Sequence, residues 1–479
     1  MAKEKSAIFI IFGGSGDLAH RKLYPSLFRL YKSGFLKDHF AVIGTARRPW
    51  SDDYFRETVV TSLKDYFDDS EEVMTEFAKH FFYQSHDVND SEHYIALKNL
   101  ASKLDDQFEA GHNRVYYMAI APRFFGTVAE HINSEGLKAS GYNRLVIEKP
   151  FGRDLDSACE LNGNISKAFP ENDIYRIDHY LGKEMIQDIP NIRKNNPKLE
   201  QALNNKYVSN IQITLAESLG VEDRGGYYET AGVLRDMVQN HIMQIIWAVA
   251  SDEPESEDAD VIHKNKTELF SSLKELSPEE VDQAFVRGQY DTDNLGDLKA
   301  YRQEDNVAED SNIETFVAGK IEFDTDRWRN VPFYVRSGKR MPKKSSRIDI
   351  VLNDQVKELG IRPNSVVTLL IERENGHSIL INGVNYKEAG QDFIKFPEEA
   401  EFDKAREAYE SLIIDILSGN RVHFTLWDEL RSTWKYIDTI RQRWDSQTPE
   451  FPNYLSGSMG PDASEMLLER DGNSWVWDD

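Results

Sequence analysis

Apolar and polar positions follow two different rhythms along this chain. In the first third, short apolar runs at Ala7–Phe12, Phe40–Gly44, Val115–Ala121 and Arg144–Ile147 are bounded by turn residues. Runs of this length without alternation predict strands buried on both faces, as in a parallel sheet. Between them apolar residues recur at helical spacing, as at Leu23, Leu27 and Leu30, and Ser51 with Asp52 and Asp53 behind it predicts a capped helix start. Strand, helix and strand in succession predict a doubly wound α/β domain. Pro25 falls inside the first helical pattern, where it should kink the helix.

Further along, the rhythm changes. Tyr227 to Ala250 predicts one long helix, with Gly232 its only internal glycine. Around it, Ile211–Ile213–Leu215, Val317–Ile321–Phe323, Ile348–Ile350–Leu352 and Val366–Leu369 alternate, which predicts an antiparallel sheet with one face under helices. The acidic stretches Ser251–Asp258 and Asp291–Asp310 look like surface connections. The expected fold class is α/β plus α+β. A Rossmann-like, doubly wound parallel sheet occupies residues 1–178, and residues 179–479 form a larger domain with a mostly antiparallel sheet covered by helices.

Composition narrows the class. With 40% hydrophobic and 29% charged residues, the 479-residue chain is an ordinary globular protein of two or more domains. Its net charge of −25 opposes binding to nucleic acid or anionic membranes, so neither is expected as a partner. One cysteine, Cys159, excludes an internal disulfide and is most simply a small buried residue. The first apolar run is too short for a signal-peptide core or a bilayer span, so a cytoplasmic location is expected. Against the acidic background, Arg329, Arg336, Lys339, Arg340, Lys343, Lys344 and Arg347 occur with no acid among them. Alone, that stretch reads as a solvated loop or sheet edge. A phosphate-bearing ligand would give it another meaning.

The first strand runs into Gly13-Gly14-Ser15-Gly16-Asp17-Leu18-Ala19. Gly14, Gly16 and Ala19 fit G-x-G-x-x-A, the turn that brings a dinucleotide pyrophosphate to a helix N-terminus. NAD-preferring folds place an acid near the end of the second strand to bind the ribose. Here the strand meets Arg47 and Arg48, and no acid comes before Asp52. Two guanidinium groups suit a 2′-phosphate, so NADP is the expected cofactor, with NAD as second choice. Two exposed loop arginines would give the same sequence.

Three further clusters carry chemistry. Counting by three and four places Leu234, Met237, Val238, His241, Ile245 and Ala248 on one helical stripe. A histidine there serves equally as a core residue or a base, and its neighbours Asp236 and Asn240 are polar groups needing a reason. In Arg176-Ile177-Asp178-His179-Tyr180-Leu181-Gly182-Lys183-Glu184, a helix beginning near His179 would set His179 and Lys183 on one face, a phosphate clamp with Tyr180 beside it. Asp178 could instead simply cap that helix. Glu148-Lys149-Pro150-Phe151-Gly152 ends a parallel strand, where Lys149 can meet cofactor or substrate. No H-E-x-x-H, Cys/His ligand spacing or G-x-S-x-G is present, so neither a metal site nor a serine nucleophile is expected.

Together these stretches resemble the glucose-6-phosphate dehydrogenase family. The resemblance rests on Gly13–Lys22, Glu148–Gly152, Arg176–Glu184, Asp236–Gln244, Val331–Lys339 and Tyr454–Pro461, in the family's order across nearly the whole chain. It implies oxidation of D-glucose 6-phosphate at C1 to 6-phospho-D-glucono-1,5-lactone, the first step of the oxidative pentose phosphate pathway. It further implies His241 as general base, Asp178 as its orienting partner, and His179, Tyr180, Lys183 and Lys344 as binders of the substrate phosphate. Lys149, Glu217, Asp236 and Lys339 are implied sugar contacts, and Lys149 also borders the cofactor. The cofactor-binding residues are Gly13, Gly14, Ser15, Gly16, Asp17, Leu18, Arg47, Arg48 and Lys149. Pro150 resembles a hinge, and the resemblance implies a homodimer through the antiparallel sheet. Ser411 and His20 depart from the family pattern, and neither is a candidate chemical residue. The rival readings are another sugar oxidoreductase of the same architecture and a non-catalytic NADP-binding sensor.

Overall fold

The structure is a computed structural model, and it describes residues 4–252, 256–374, 377–390, 394 and 407–478. Two compact units emerge: Met1–Gly182 with Arg406–Trp427, and Lys183–Ala405 with Asp428–Asp479.

The first unit is built on six parallel strands: β1 (Ala7–Phe12), β2 (Phe40–Ala46), β3 (Phe81–Ser85), β4 (Arg114–Met118), β5 (Asn143–Ile147) and β6 (Ile174–Arg176). Their order, β3-β2-β1-β4-β5-β6, is that of a doubly wound dinucleotide-binding sheet. The fully buried run of β1 explains why its sequence does not alternate. Phe9 and Ile11 face one core, while Phe12 packs on Tyr94 of the helix Ser91–Phe108. The two edge strands, β3 and β6, are short and escape the hydrophobic pattern. Pro25 is accommodated because Ala19–Leu23 forms a wide π-helical turn and the proline falls in the first turn of the helix Tyr24–Lys32. Ser51 caps the helix Asp52–Lys64, its hydroxyl accepting from the Tyr54 N–H at 3.2 Å.

A segment distant in sequence completes this unit. The helix Ala408–Ser418 returns to bury Leu412, Ile413, Ile416 and Leu417 in the first core. It packs so closely on the turn His179–Gly182 that a Cβ at Gly182 would strike the Ala408 carbonyl. Arg176 ties the segment down, donating to Glu171, Asn162 and the Thr425 carbonyl. Cys159 is exposed on the helix Leu155–Ser166, contrary to its expected burial, because it lies on the helix's outer face.

The second unit carries eight strands: β7 (Val208–Ala216), β8 (Phe285–Gly288), β10 (Phe316–Ile321), β11 (Phe333–Gly338), β12 (Ser345–Leu352), β13 (Val366–Glu374), β14 (His377–Ile381) and β15 (Val384–Asn385). The order is β15-β14-β13-β12-β7-β11-β10-β8, and only the β7–β11 pair is parallel. A separate small sheet joins β9 (Tyr290–Asp291) to β16 (Tyr454–Leu455).

Three features of this unit bear on what its sequence predicts. First, the polar positions of the sheet are not solvated. Asn210, Gln212 and Thr214 are all buried, and Gln212 exchanges hydrogen bonds with Ser474 and Val476 of the C-terminal tail. Second, the basic stretch is largely the expected loop, with Lys339, Arg340, Lys343 and Lys344 in the connection between β11 and β12, and only Arg336 and Arg347 sit on those interior strands. Arg336 is fully buried with its guanidinium 4.1 Å from the Trp475 ring, Arg347 pairs with Asp349 at 2.7 Å, and Arg340 pairs with Glu304. Third, the acidic connection Asp291–Asp310 is mostly exposed, as a surface connection should be, and is anchored by the fully buried Tyr301. Part of Ser251–Asp258 lies outside the described residues.

The predicted long helix is also not continuous. Gly232 takes φ 63° and ψ 168°, which ends the helix Gly225–Val233. A π-helical segment, Leu234–Ile242, follows and passes into the α-helix Met243–Ala250. Every residue from Leu234 to Ile242 except Arg235 is buried, so there is no single apolar stripe. Among the described residues no helix is long and apolar enough to cross a membrane.

Candidate active site

In the first unit, the glycine loop is shaped by close backbone approach. Gly13 has φ 93°, and both Gly13 and Gly14 donate their N–H to the Thr45 carbonyl, at 2.8 and 3.1 Å. A Cβ at Gly14 would lie 2.7 Å from the Gly44 Cα, so any side chain there would push the loop off β2. Thus Gly13 supplies the turn, while Gly14 supplies contact with the second strand. Ser15 and Leu18 are half-buried, and Asp17 is exposed beside Arg21. Ala19 is fully buried, where only a small side chain fits between helix and sheet. A tight glycine turn opening a helix fits a dinucleotide phosphate.

The end of β2 separates its two arginines. Arg47 is exposed and makes no ion pair with the described residues, whereas the Arg48 guanidinium lies 5.6 Å from the Trp50 ring. Asp52, the nearest acid, is committed to the Tyr83 N–H at 2.7 Å and to Arg56.

At the end of β5, Glu148 accepts from the Tyr117 hydroxyl at 2.6 Å and from Tyr409 of the returning helix. Burial pushes its carboxyl up to about 7, although both phenols and Lys149 oppose the rise. Lys149 is half-buried and its peptide with Pro150 is cis. Asp178 is buried and accepts from the Tyr180 N–H at 2.9 Å, so it does cap the turn that follows. That turn, His179–Gly182, is a single 3₁₀ turn, and a fresh helix starts at Glu184. The four-residue spacing of His179 and Lys183 is therefore not that of one α-helical face. Tyr180 is buried and His179 half-buried.

In the second unit, candidate sugar contacts gather around Tyr228. Lys339 is buried, pairs with Glu217 at 2.5 Å, and holds its ammonium 5.4 Å from the Tyr228 ring. The Tyr227 hydroxyl donates to Asp236 at 3.0 Å. Burial, reinforced by Asp236 and Glu217, pushes the Tyr228 phenol well above its usual range. Glu217 is fixed by its backbone, its N–H on the Gly338 carbonyl and its carbonyl on the Met341 N–H, both at 3.0 Å. His241 is fully buried in the π-helical segment, with its backbone N–H donating to the Asn240 side-chain oxygen.

A second set in this unit joins Lys183 and Lys344 to Glu372, a residue missed in the sequence. Glu372 on β13 binds Lys183 through Oε1 and Lys344 through Oε2, each at 2.5 Å. Burial opposes ionisation of Glu372, but the two ammonium groups hold its carboxyl below the usual range. The available signal was an acid closing an otherwise apolar strand, Val366–Glu374. Tyr117, Tyr227 and Tyr409 were likewise unmarked, because no local pattern distinguishes a partnered tyrosine from a core one.

Comparison with known proteins agrees over the full length. Residues 10–188 match the family described as glucose-6-phosphate dehydrogenase, NAD binding domain, and residues 190–476 match its C-terminal domain. A glucose-6-phosphate 1-dehydrogenase of Streptococcus pneumoniae is 46% identical, covering 98% of this chain and 96% of that protein. One from Leuconostoc mesenteroides is 42% identical over the whole of both chains. A solved glucose-6-phosphate dehydrogenase in complex with its substrate glucose 6-phosphate superposes with a TM-score of 0.87 at 28% identity, covering 99% of this chain and all of that one.

Proposed function

The chain belongs to the glucose-6-phosphate dehydrogenase family, and we propose that it oxidises glucose 6-phosphate at C1 with NADP as preferred acceptor. When bound, the dinucleotide supplies the oxidised nicotinamide that accepts the C1 hydride. Neutral His241 takes the C1 hydroxyl proton as general base, leaving a lactone carbonyl at C1, and Asp178 is its carboxylate partner. Lys183, Lys344, His179 and Tyr180 receive the substrate phosphate. Glu217, Asp236, Lys339 and Lys149 take the sugar. The loop Gly13–Leu18 and Lys149 hold the cofactor, with Arg47 on its 2′-phosphate and Arg48 in support. Residues 1–178 chiefly serve the cofactor, and residues 179–479 serve the sugar and the pairing of two copies into a cytoplasmic homodimer.

The observation that carries this reading is the Lys183–Glu372–Lys344 bridge. Two ammonium groups drawn onto one carboxylate form an anion receptor of the charge a phosphomonoester needs. The preference for NADP is supported by the unpaired Arg47 and by the commitment of Asp52 elsewhere.

The test is nicotinamide reduction with glucose 6-phosphate or free glucose, each with NADP or NAD. His241→Asn should cut kcat by about 10²–10⁴-fold with little change in KM. Lys183→Gln should mainly raise the KM for glucose 6-phosphate. A His241→Asn enzyme of near-normal turnover would place the base elsewhere, and equal rates with free glucose would dismiss the phosphate receptor.

A further inference from the structure

The segment bearing Asp236 and His241 begins against a buried acid that takes no part in the chemistry above. Glu314 is fully buried, and its Oε1 accepts from the Leu234 N–H at 3.3 Å while its backbone carbonyl accepts from the Val233 N–H at 3.0 Å. These are the first donors of the π-helical segment, which otherwise lack partners. Room for the carboxylate exists only because residue 232 is glycine, since a Cβ there would collide with it. On its other side, Glu314 Oε2 holds Arg441 Nη1 at 2.7 Å, and Arg441 Nη2 holds Asp445 at 2.7 Å. Glu314 is thus fixed from the helix Trp427–Asp445 and fixes Leu234–Ile242 in turn.

The same short stretch reaches the sugar contacts. The Thr315 carbonyl accepts from the Lys339 N–H at 2.9 Å, and the Tyr454 hydroxyl lies 3.0 Å from Thr315 Oγ1 and donates to the Lys339 carbonyl at 2.8 Å. A long π-helical run is rarely the preferred state of a sequence, so its register depends on where it is tied. A slip of one residue would turn the His241 ring by roughly a quarter of a turn about the axis.

We propose that Glu314 is a positioning residue for the dehydrogenase reaction, setting the register of the π-helical segment and thereby the aim of the His241 imidazole. This rests on His241 being the base. Glu314→Asp keeps the charge for Arg441 but withdraws the oxygen from Leu234. Glu314→Gln keeps the reach and loses the charge, and Arg441 retains Asp445. Misplacement of this order costs about ten- to hundredfold in turnover. E314D should therefore lose kcat by that factor while its dinucleotide affinity is unchanged, and E314Q should stay within about threefold of wild type. In a His241→Asn background, E314D should add no further loss in kcat, because the group it aims is gone.

Three results would overturn the proposal: E314D at wild-type kcat, E314Q more damaged than E314D, or losses that multiply in the double variant. The first leaves the base assignment intact, provided His241→Asn alone is inactive. A near-normal His241→Asn enzyme would remove the base assignment and this inference with it.

Discussion

Glu372 bridges the two lysines proposed to receive the substrate phosphate, and replacing it should tighten sugar-phosphate binding. Its carboxylate bridges Lys183 and Lys344 at 2.5 Å each, with side-chain exposures of 39%, 16% and 61% respectively. An incoming phosphate must share or displace that carboxylate. Deep burial would make the pairs strong, but the exposure of Glu372 and Lys344 puts them near the surface regime, where a pair contributes about 0.2–1 kcal/mol. The better buried Lys183 lies at the upper end of that range. Freeing both ammonium groups should gain about 1 kcal/mol, which is roughly fivefold in affinity. Glu372→Gln keeps the side-chain shape and removes the charge. Steady-state kinetics at low ionic strength should show a KM for glucose 6-phosphate about fivefold lower, with kcat within about twofold, since this grip is the same in ground and transition states. Inorganic phosphate should also inhibit at lower concentration, and the difference should shrink as salt is raised. An unchanged or higher KM, with that for NADP unaffected, would mean that Glu372 organises the lysines rather than competing for them.

Arg47→Ala should lower kcat/KM for NADP by about 1.5–3 kcal/mol and leave NAD nearly untouched, while Arg48→Ala does much less; equal losses with both cofactors would dismiss the 2′-phosphate contact. Glu148 has its pKa raised to about 7 by burial, so in the folded state it holds a proton that the unfolded chain has lost. The stabilisation is complete below the ordinary carboxylate pKa of 4.5 and fades as pH rises to about 7. Relative to Glu148→Gln, the wild type should lose up to about 3 kcal/mol between pH 5 and 8 in urea titrations, and a pH-independent offset would refute this. Gly232→Ala forces a positive φ on a residue with a Cβ and drives it into Glu314. It should cost about 2–4 kcal/mol and lower the Tm by several degrees, and a wild-type melting curve would contradict the geometry.

The Rossmann-like sheet was legible because each central strand is short, mostly buried and set off by turns, so local composition and burial coincide. The glycine loop was legible as a short motif between a strand and a helix, although Gly14 is required by its contact with Gly44 of the second strand. The interruption at Gly232 was not, because a lone glycine in a helical pattern is usually tolerated, and here its conformation is dictated by Glu314 from 82 residues away in the chain. The polar positions of the second sheet alternate as a solvated face would, and nothing nearby in sequence announces that the tail covers them.

By itself, the amino-acid order determined the strand runs, the glycine turn after the first strand, the absence of an acid before Asp52 and the cluster of motifs that carries the family resemblance. Those features are local, since a few neighbouring residues suffice to express them. Only the tertiary structure decided that Lys183 and Lys344 converge on Glu372, that Tyr409 returns to Glu148, and that Arg441 holds Glu314 beneath the segment of His241. Each of those pairings joins side chains far apart along the chain, and a buried charge declares its partner only once folding has removed water from both.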